Sequence, residues 1–474
     1  MSAPTSVSSR PTPTGSRGRR PRPHPGPSGR PRTAARAARI SPNALLAAIA
    51  CGAVAVLALW WHDTAFVSGL GDWLTNAGRV SGLLTGYGVI VLLALMARVP
   101  AIERGVGTDR LTRWHAHGGR YVVCLAVAHT LLIIWGYAVT AHTGVVHQTG
   151  LLLTTYPDVL MAMVALGLLI AVGISSARAA RRRMHYETWQ FVHLYTYLAV
   201  GLAFAHQFAT GADFIDDAVA RWVWSGLYTA VAALLVRYRV AEPLLADRRH
   251  RLRVADVRPE TTGVVSVYVT GRRLDELVAE PGQFFRWRFL TRELWWAANP
   301  YSLSAPPNAD LLRITVKCTG EHSAALLRLP RGTRVIAEGP YGALTAARRR
   351  SDRVLFIAGG VGITPLRAMF ETVAARPGEL SLLYRARAED DLLFRAELER
   401  IAHERGARLH YLLGASSSGA DALLSAPQLR ELVPRLDEHD VFLCGPPGMT
   451  ALARRSLRQA GVARNRIHEE SFAI

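Results

Sequence analysis

Lysine is all but missing from this chain. Of 56 basic residues in 474, Lys317 is the single lysine and the rest are arginine. Cysteine is scarce too: Cys51, Cys124, Cys318 and Cys444 lie too far apart for a zinc site or a thiolate-held iron–sulfur cluster. Two of them fall in apolar segments, which argues against a disulfide framework. Charged residues make up only 19%, whereas 50% are hydrophobic and the mean hydropathy is +0.14. That balance excludes a disordered polyelectrolyte and argues against an ordinary soluble enzyme. Any metal chemistry must use ligands other than cysteine.

The net charge of +20 is explained by where the arginines sit. Nine stand in the first 40 residues beside eight prolines, with no Asp or Glu, so 1–40 is expected to be a disordered basic cytoplasmic tail. Apolar stretches of roughly 20 residues, the length that crosses a bilayer, follow at 43–61, 80–97, 114–140, 157–175, 188–210 and 219–238. Connections 98–113 and 176–187 each carry four arginines, while 62–79, 141–156 and 211–220 are nearly bare of them. The positive-inside rule then puts both termini in the cytoplasm. Residues 41–240 are expected to be a six-span domain of the cell membrane, with the lipid bilayer as partner and no role for nucleic acid.

Ionisable residues inside such spans are costly and therefore informative. His115 and His129 are 14 residues apart, so they share one face of the third span about 21 Å apart along its axis. His117 lies off that face. His193 and His206, in the fifth span, are 13 apart, which in a straight helix misses a common face by well over 100°. Both spans run outward, so His115 matches His193 in depth and His129 matches His206. Two histidines at each of two depths can clamp two planar haems by bis-imidazole ligation. The alternative is four histidines each hydrogen-bonded within the bundle. Haem propionates need cations, for which Arg79 is the best placed and Arg120 and Arg221 are others. His142 and His147 belong to an outer loop.

From about residue 250 the texture changes to short alternating runs punctuated by Gly and Pro, which predicts an antiparallel β-barrel over 248–347. Within it stands Asn299-Pro300-Tyr301-Ser302-Leu303, an aromatic followed by a hydroxyl, suited to stacking on a flavin and bonding its ribityl chain or phosphate. Lys317, Gly320 and Ser323 read as a strand end, a turn and a helix cap, whose free N–H groups can hold a pyrophosphate. After 352 the pattern becomes strand, loop, helix, predicting an α/β parallel-sheet domain over 352–474. One buried-strand run enters Gly359-Gly360-Val361-Gly362-Ile363-Thr364-Pro365, and a second ends in Cys444-Gly445-Pro446-Pro447-Gly448-Met449. Two such loops at one sheet edge point to nucleotide binding.

Taken together these motifs resemble the ferric reductase and NADPH oxidase superfamily in its bacterial form, over about 43–474. Trp114-His115, Ala128-His129, Tyr186-Glu187-Thr188-Trp189 before His193, and Ala205-His206-Gln207 are similar to its third and fifth spans. Asn299-Pro300-Tyr301-Ser302 is similar to its His-Pro-Phe-Ser/Thr flavin motif, with Asn299 in place of the histidine. Gly360–Pro365 and Cys444–Met449 are similar to the ferredoxin–NADP reductase type of nucleotide domain. The resemblance implies a flavocytochrome that passes electrons from cytoplasmic NADPH or NADH through FAD and two b-type haems to an outer acceptor, a ferric chelate or dioxygen. It implies haem ligation by His115, His129, His193 and His206, with Cys444 beside the nicotinamide and Tyr301 at the flavin. Phe472 is a further candidate for flavin stacking. Arg385 and Arg387 favour a 2′-phosphate, Asp390 and Asp391 oppose it, and oligomeric state is open. The rival expectation is a membrane-anchored, haem-free flavoprotein reductase serving a partner protein.

Overall fold

The structure is a computed structural model that describes residues 39–474, except 63, 65–66, 178–183, 185, 216, 415–421 and 471–474. The basic tail to residue 38 and Phe472 lie outside the described residues. Residues 39–474 form one compact unit.

Six long helices occupy the six apolar stretches: α1 (Pro42–His62), α2 (Gly69–Leu95), α3 (Thr108–Thr140), α4 (Val159–Ser176), α5 (Tyr186–Thr210) and α6 (Ala218–Leu235). Among the described residues five are long and apolar enough to cross a membrane; α5 is not one of them. Its 25 residues reach about 37 Å, but histidine, tyrosine and glutamine dilute its apolar character. The expected six-span count therefore stands at five by composition. Helix α2 begins eleven residues before the expected 80. Its polar first turns are stabilised at the helix start, where Asp72 accepts the Ser68 N–H at 3.1 Å. The connection 141–156 is largely helix, Val145–Thr155.

Helices α2 and α3 pack backbone to backbone. A methyl at Gly136 would lie 2.8 Å from the Thr75 nitrogen and 3.0 Å from the Gly71 oxygen, so only glycine permits this approach. Helix α5 lies chiefly along α4 and is tied to α6 by Trp224 Nε1–H donating to Gln207 Oε1 at 2.7 Å. Helix α6 runs on through a π turn, Val236–Ala241, into α7 (Glu242–His250).

Between residues 253 and 341 stand two three-stranded antiparallel sheets. One has the order β1 (Arg253–Thr261), β2 (Val264–Thr270), β5 (Leu312–Lys317); the other has β4 (Asn299–Ser302), β3 (Phe284–Phe289), β6 (Val335–Tyr341). Single bridges, Leu303 with Ile314 and Arg253 with Arg334, join them at both edges. Their inward residues, among them Val265, Val267, Phe285, Trp287, Leu303 and Ile314, make one core.

The last domain is a parallel sheet in the order β11 (Ile467–Glu469), β10 (Asp440–Cys444), β7 (Val354–Gly359), β8 (Leu380–Ala386), β9 (Arg408–Leu413). The chain order reverses between β7 and β10, which makes the carboxyl edge of these two strands the switch point where ligands bind in open sheets. Helices α8 (Ile363–Thr372), α9 (Arg395–Arg405) and α10 (Pro447–Gln459) connect or flank them. Every residue of β7 is buried, as the sequence run predicts for a central parallel strand.

Gly136→Leu should wedge α2 and α3 apart at about 1–3 kcal/mol and lower the melting temperature of the detergent-solubilised protein by several degrees. Gly167→Leu on α4, with nothing within 4 Å, should leave it unchanged.

Candidate functional site

The four span histidines meet in the two expected pairs. His115 and His193 have ring centroids 5.9 Å apart, and His129 and His206 are 6.4 Å apart. Two metal–imidazole bonds of about 2 Å on opposite faces of one iron put ring centroids about 6–6.5 Å apart. Both pairs fit that span. The Nδ1 of His129 lies 2.8 Å from the Gly78 oxygen, and that of His115 lies 3.2 Å from the Leu92 oxygen. The Nδ1 of His206 lies 3.0 Å from Thr210 Oγ1, whose hydroxyl donates to the His206 carbonyl. An Nδ1–H spent in this way leaves Nε2 as the free lone pair, the arrangement a metal-ligating histidine needs. His193 stacks on Trp189 at 5.1 Å, and its Nδ1 has no hydrogen-bond partner among the described residues. The 13-residue mismatch is absorbed without a break in α5, which stays helical from Tyr186 to Thr210.

The His129–His206 pair lines a cavity of about 380 Å³ that also includes Arg79, Tyr137, Tyr156 and Asp213. Arg79 is not a solitary cation there: its guanidinium sits 2.5 Å from the buried Asp213 carboxylate. Arg120 is exposed and contacts His117 Nδ1 at 3.0 Å, while Arg221, His142 and His147 are also exposed. Among the described residues no three His, Cys, Asp or Glu side chains cluster as a metal site.

In the sheet-pair domain, β4 carries Asn299 to Ser302, paired with β3 from Trp287 to Phe284. Ser302 is buried and its Oγ has no partner among the described residues, a donor held ready for a ligand. The Tyr301 phenol is pushed up to about 12, first by burial and then by Cys318. It is a neutral hydroxyl at physiological pH. Leu303 differs from expectation, because its side chain is fully buried in the core and faces no cleft. Lys317 ends β5 exposed, and Gly320 caps the helix Glu321–Ala325. Ser323 is the third residue of that helix rather than its cap, and its Oγ already accepts the N–H groups of Thr319 and Gly320.

At the switch point the two nucleotide loops touch. Gly359 closes β7, Gly360 has φ +53°, and Gly362 leads into α8. A methyl on Gly362 would lie 2.4 Å from the Cys444 carbonyl oxygen, and one on Gly445 would lie 3.1 Å from the Gly359 nitrogen. Thr364 Oγ1 donates back to the Val361 carbonyl at 2.9 Å, and Pro365 is buried in the first turn of α8. Pro446 is exposed at the start of α10, and Met449 packs over Gly359. Cys444 is fully buried; burial, with Glu470 nearby, pushes its thiol well above the usual range. Glu470 escaped the sequence reading. It is buried near Cys444 and against Gly342, where a methyl would lie 2.8 Å from its Oε1. An acidic pair near a chain end carries no periodic signal that would single it out. Arg385 donates to the carbonyls of Ala386, Leu412 and Gly414, whereas Arg387 is exposed.

Comparison with known proteins matches two parts of the chain. The ferric reductase like transmembrane component matches residues 81–204, and the oxidoreductase NAD-binding domain matches 356–455. His115, His129 and His193 fall inside the first and His206 just beyond it. The ferredoxin–NADP reductase B of Sorangium cellulosum is 34% identical over 189 residues, covering 36% of this chain and 77% of that protein. The glycine betaine monooxygenase reductase subunit of Pseudomonas aeruginosa is 29% identical over 245 residues, 48% of this chain, and the chain spans 65% of its length. The flavohem-like FAD/NAD binding domain of nitric oxide dioxygenase from Vibrio cholerae O1 biovar El Tor is 24% identical. It covers 48% of this chain and 99% of that domain, with a TM-score of 0.40.

Gly362→Ala should force the two loops apart and weaken oxidised nicotinamide nucleotide binding about tenfold, a loss of about 1.4 kcal/mol, in calorimetric titration. Flavin content should be unchanged.

Proposed function

The chain belongs to the ferric reductase-like membrane oxidoreductases, which join that transmembrane component to domains of the ferredoxin–NADP reductase type, and on that premise we propose that it carries electrons from cytoplasmic NAD(P)H to an acceptor beyond the membrane. The observation that carries this reading is the pair of facing histidine pairs, 5.9 and 6.4 Å between centroids, on α3 and α5. His115 with His193 would hold one b-type haem, and His129 with His206 a second. FAD, when bound, would supply uptake of one hydride, an electron pair, and its release as single electrons, and haem iron would supply one-electron acceptance.

The chain's own residues do the positioning. Gly360 and Gly362 let the backbone approach a dinucleotide phosphate at the start of α8. Cys444, kept as a thiol by burial at the carboxyl end of β10, would lie beside a bound nicotinamide. Ser302 Oγ, without a partner among the described residues, would offer bound flavin a hydrogen bond, and the Tyr301 phenol, neutral through burial, would add no charge there. Histidines with Nδ1 spent on Gly78, Leu92 and Thr210 would keep Nε2 as the lone pair for a haem iron. At the outer end the Arg79–Asp213 pair offers propionates an arginine whose charge is already balanced. With both termini cytoplasmic, each electron moved outward runs down an inside-negative potential, which adds about 2.3 kcal/mol per 100 mV to the driving force of the redox drop.

The acceptor is a ferric chelate or dioxygen. A haem-free reductase serving a partner protein is the rival reading, favoured by likeness to a protein whose name is that of a reductase subunit.

The purified protein reduced with dithionite should show a sharpened Soret band and an α band, and His129→Ala and His206→Ala should each lower the haem content by about half. Lack of any α band in the wild type sinks the haem assignment. NAD(P)H oxidation with ferric chelate under nitrogen, set against oxygen alone with superoxide detection, separates the acceptors: activity confined to oxygen eliminates the ferric one. His129→Ala and His206→Ala should abolish outward transfer while sparing NAD(P)H oxidation by artificial cytoplasmic acceptors.

A further inference from the structure

Between the flavin-domain sheets and the nucleotide domain sits a buried ion cluster outside both cofactor clefts. Arg313 on β5 is 6% exposed. Its Nε–H donates to Ser304 Oγ at 3.1 Å and one terminal nitrogen donates to the Ser304 carbonyl at 2.8 Å. The same fork grips both oxygens of Glu397, on α9 of the nucleotide domain, at 2.7 and 3.0 Å. Arg367 of α8 places its Nε 2.8 Å from Glu397 Oε2 and is itself 4% exposed. Burial pushes the Glu397 carboxyl up, but the two arginines outweigh it and hold the group below its usual range. One carboxylate is thus held by arginines from two domains.

Such a cluster is a poor means of gaining stability, because the desolvation of buried charges offsets their attraction. What a bidentate guanidinium–carboxylate pair does supply is a fixed geometry. The neighbouring backbone shows what that geometry controls. Phe394, three residues before Glu397, holds φ +58°, which is costly for a residue with a side chain, and the Arg313 guanidinium lies 4.6 Å above its ring. The Leu393 N–H donates to the Tyr384 hydroxyl at 3.1 Å, and that hydroxyl donates to the Gly360 carbonyl at 3.2 Å. A continuous path therefore runs from the flavin domain through Glu397 and Tyr384 to the glycine loop. The covalent connection is anchored separately, where Asp440 Oδ2 accepts the N–H groups of Arg350 and Ser351. A hinge fixed at one place and a clamp at another leave one angle between the domains.

We propose that Arg313 and Glu397 form an orientation latch, a pair of positioning residues that sets the nucleotide domain, and with it the glycine loop, at the angle hydride transfer to the flavin requires. The proposal rests on the reading that these domains carry FAD and NAD(P)H.

The test is stopped-flow reduction of the flavin by saturating NAD(P)H in the full-length, FAD-loaded protein. R313Q and E397Q should each slow it about tenfold or more, the scale of loss from a small misplacement of reacting groups. R313Q/E397Q should be no slower than either single change, because one contact is lost in all three. FAD content and dithionite reduction should be unchanged, and the isotope effect with 4-deuterated nucleotide should rise. Wild-type rates in the single variants, or effects that multiply in the double, overturn the latch. Should E397Q lose FAD, R313K decides: it keeps the charge without the fork, and a wild-type rate in it overturns the proposal. A wild-type flavin that NAD(P)H does not reduce removes the underlying reading instead.

Discussion

A histidine inside a bilayer has no water to turn to, so one ring nitrogen must find a protein acceptor, and that choice aims the other nitrogen. Most of the bundle follows from this. His129 reaches the Gly78 carbonyl only because α2 and α3 approach to backbone contact through Gly71 and Gly136. The ring then lies against Gly82, where any side chain would strike Nδ1. Close helix packing and histidine orientation are one constraint seen from two sides. Helix α5 answers it with a side chain instead, Thr210 for His206.

The C-terminal half obeys a different constraint, the reversal of strand order between β7 and β10. It sets two loops side by side, and their glycines let them touch: Gly362 against the Cys444 carbonyl, Gly445 against Gly359. The resulting edge joins an apolar floor, with Phe356 packed on Phe370 and Phe442, to a rim of backbone N–H groups. Glu470 enters the same neighbourhood through β11, the edge strand that adds the chain end to the sheet.

The sequence exposed those parts of the molecule whose chemistry is periodic or local. Histidines 14 residues apart on one apolar helix, and glycines following a buried strand, announce themselves. Partnerships between distant segments do not. Nothing near Arg79 points to Asp213, 134 residues away, and nothing near Arg313 points to Glu397. Ser323 read as a helix cap because a hydroxyl before an apolar run usually is one. The helix begins three residues earlier than such a cap requires, at Glu321, which turned Ser323 into a side chain that binds its own turn. Leu303 read as part of a binding motif because its neighbours are, whereas strand alternation sends it to the core. The helix Val145–Thr155 was hidden in a connection too short and too mixed to show a period.

One feature of the backbone sets the mechanics of the whole. The helical rod Ala218–His250 runs 33 residues, about 50 Å, from the far end of the bundle to the sheets. At its lower end Asp247 grips Arg334, and the His250 ring meets the Arg272 carbonyl. A rod transmits push and twist where a loop would dissipate them. The π turn at Val236–Ala241 interrupts the regular α-helical ladder of that rod, and it is the place where a bend would change the angle between bundle and sheets.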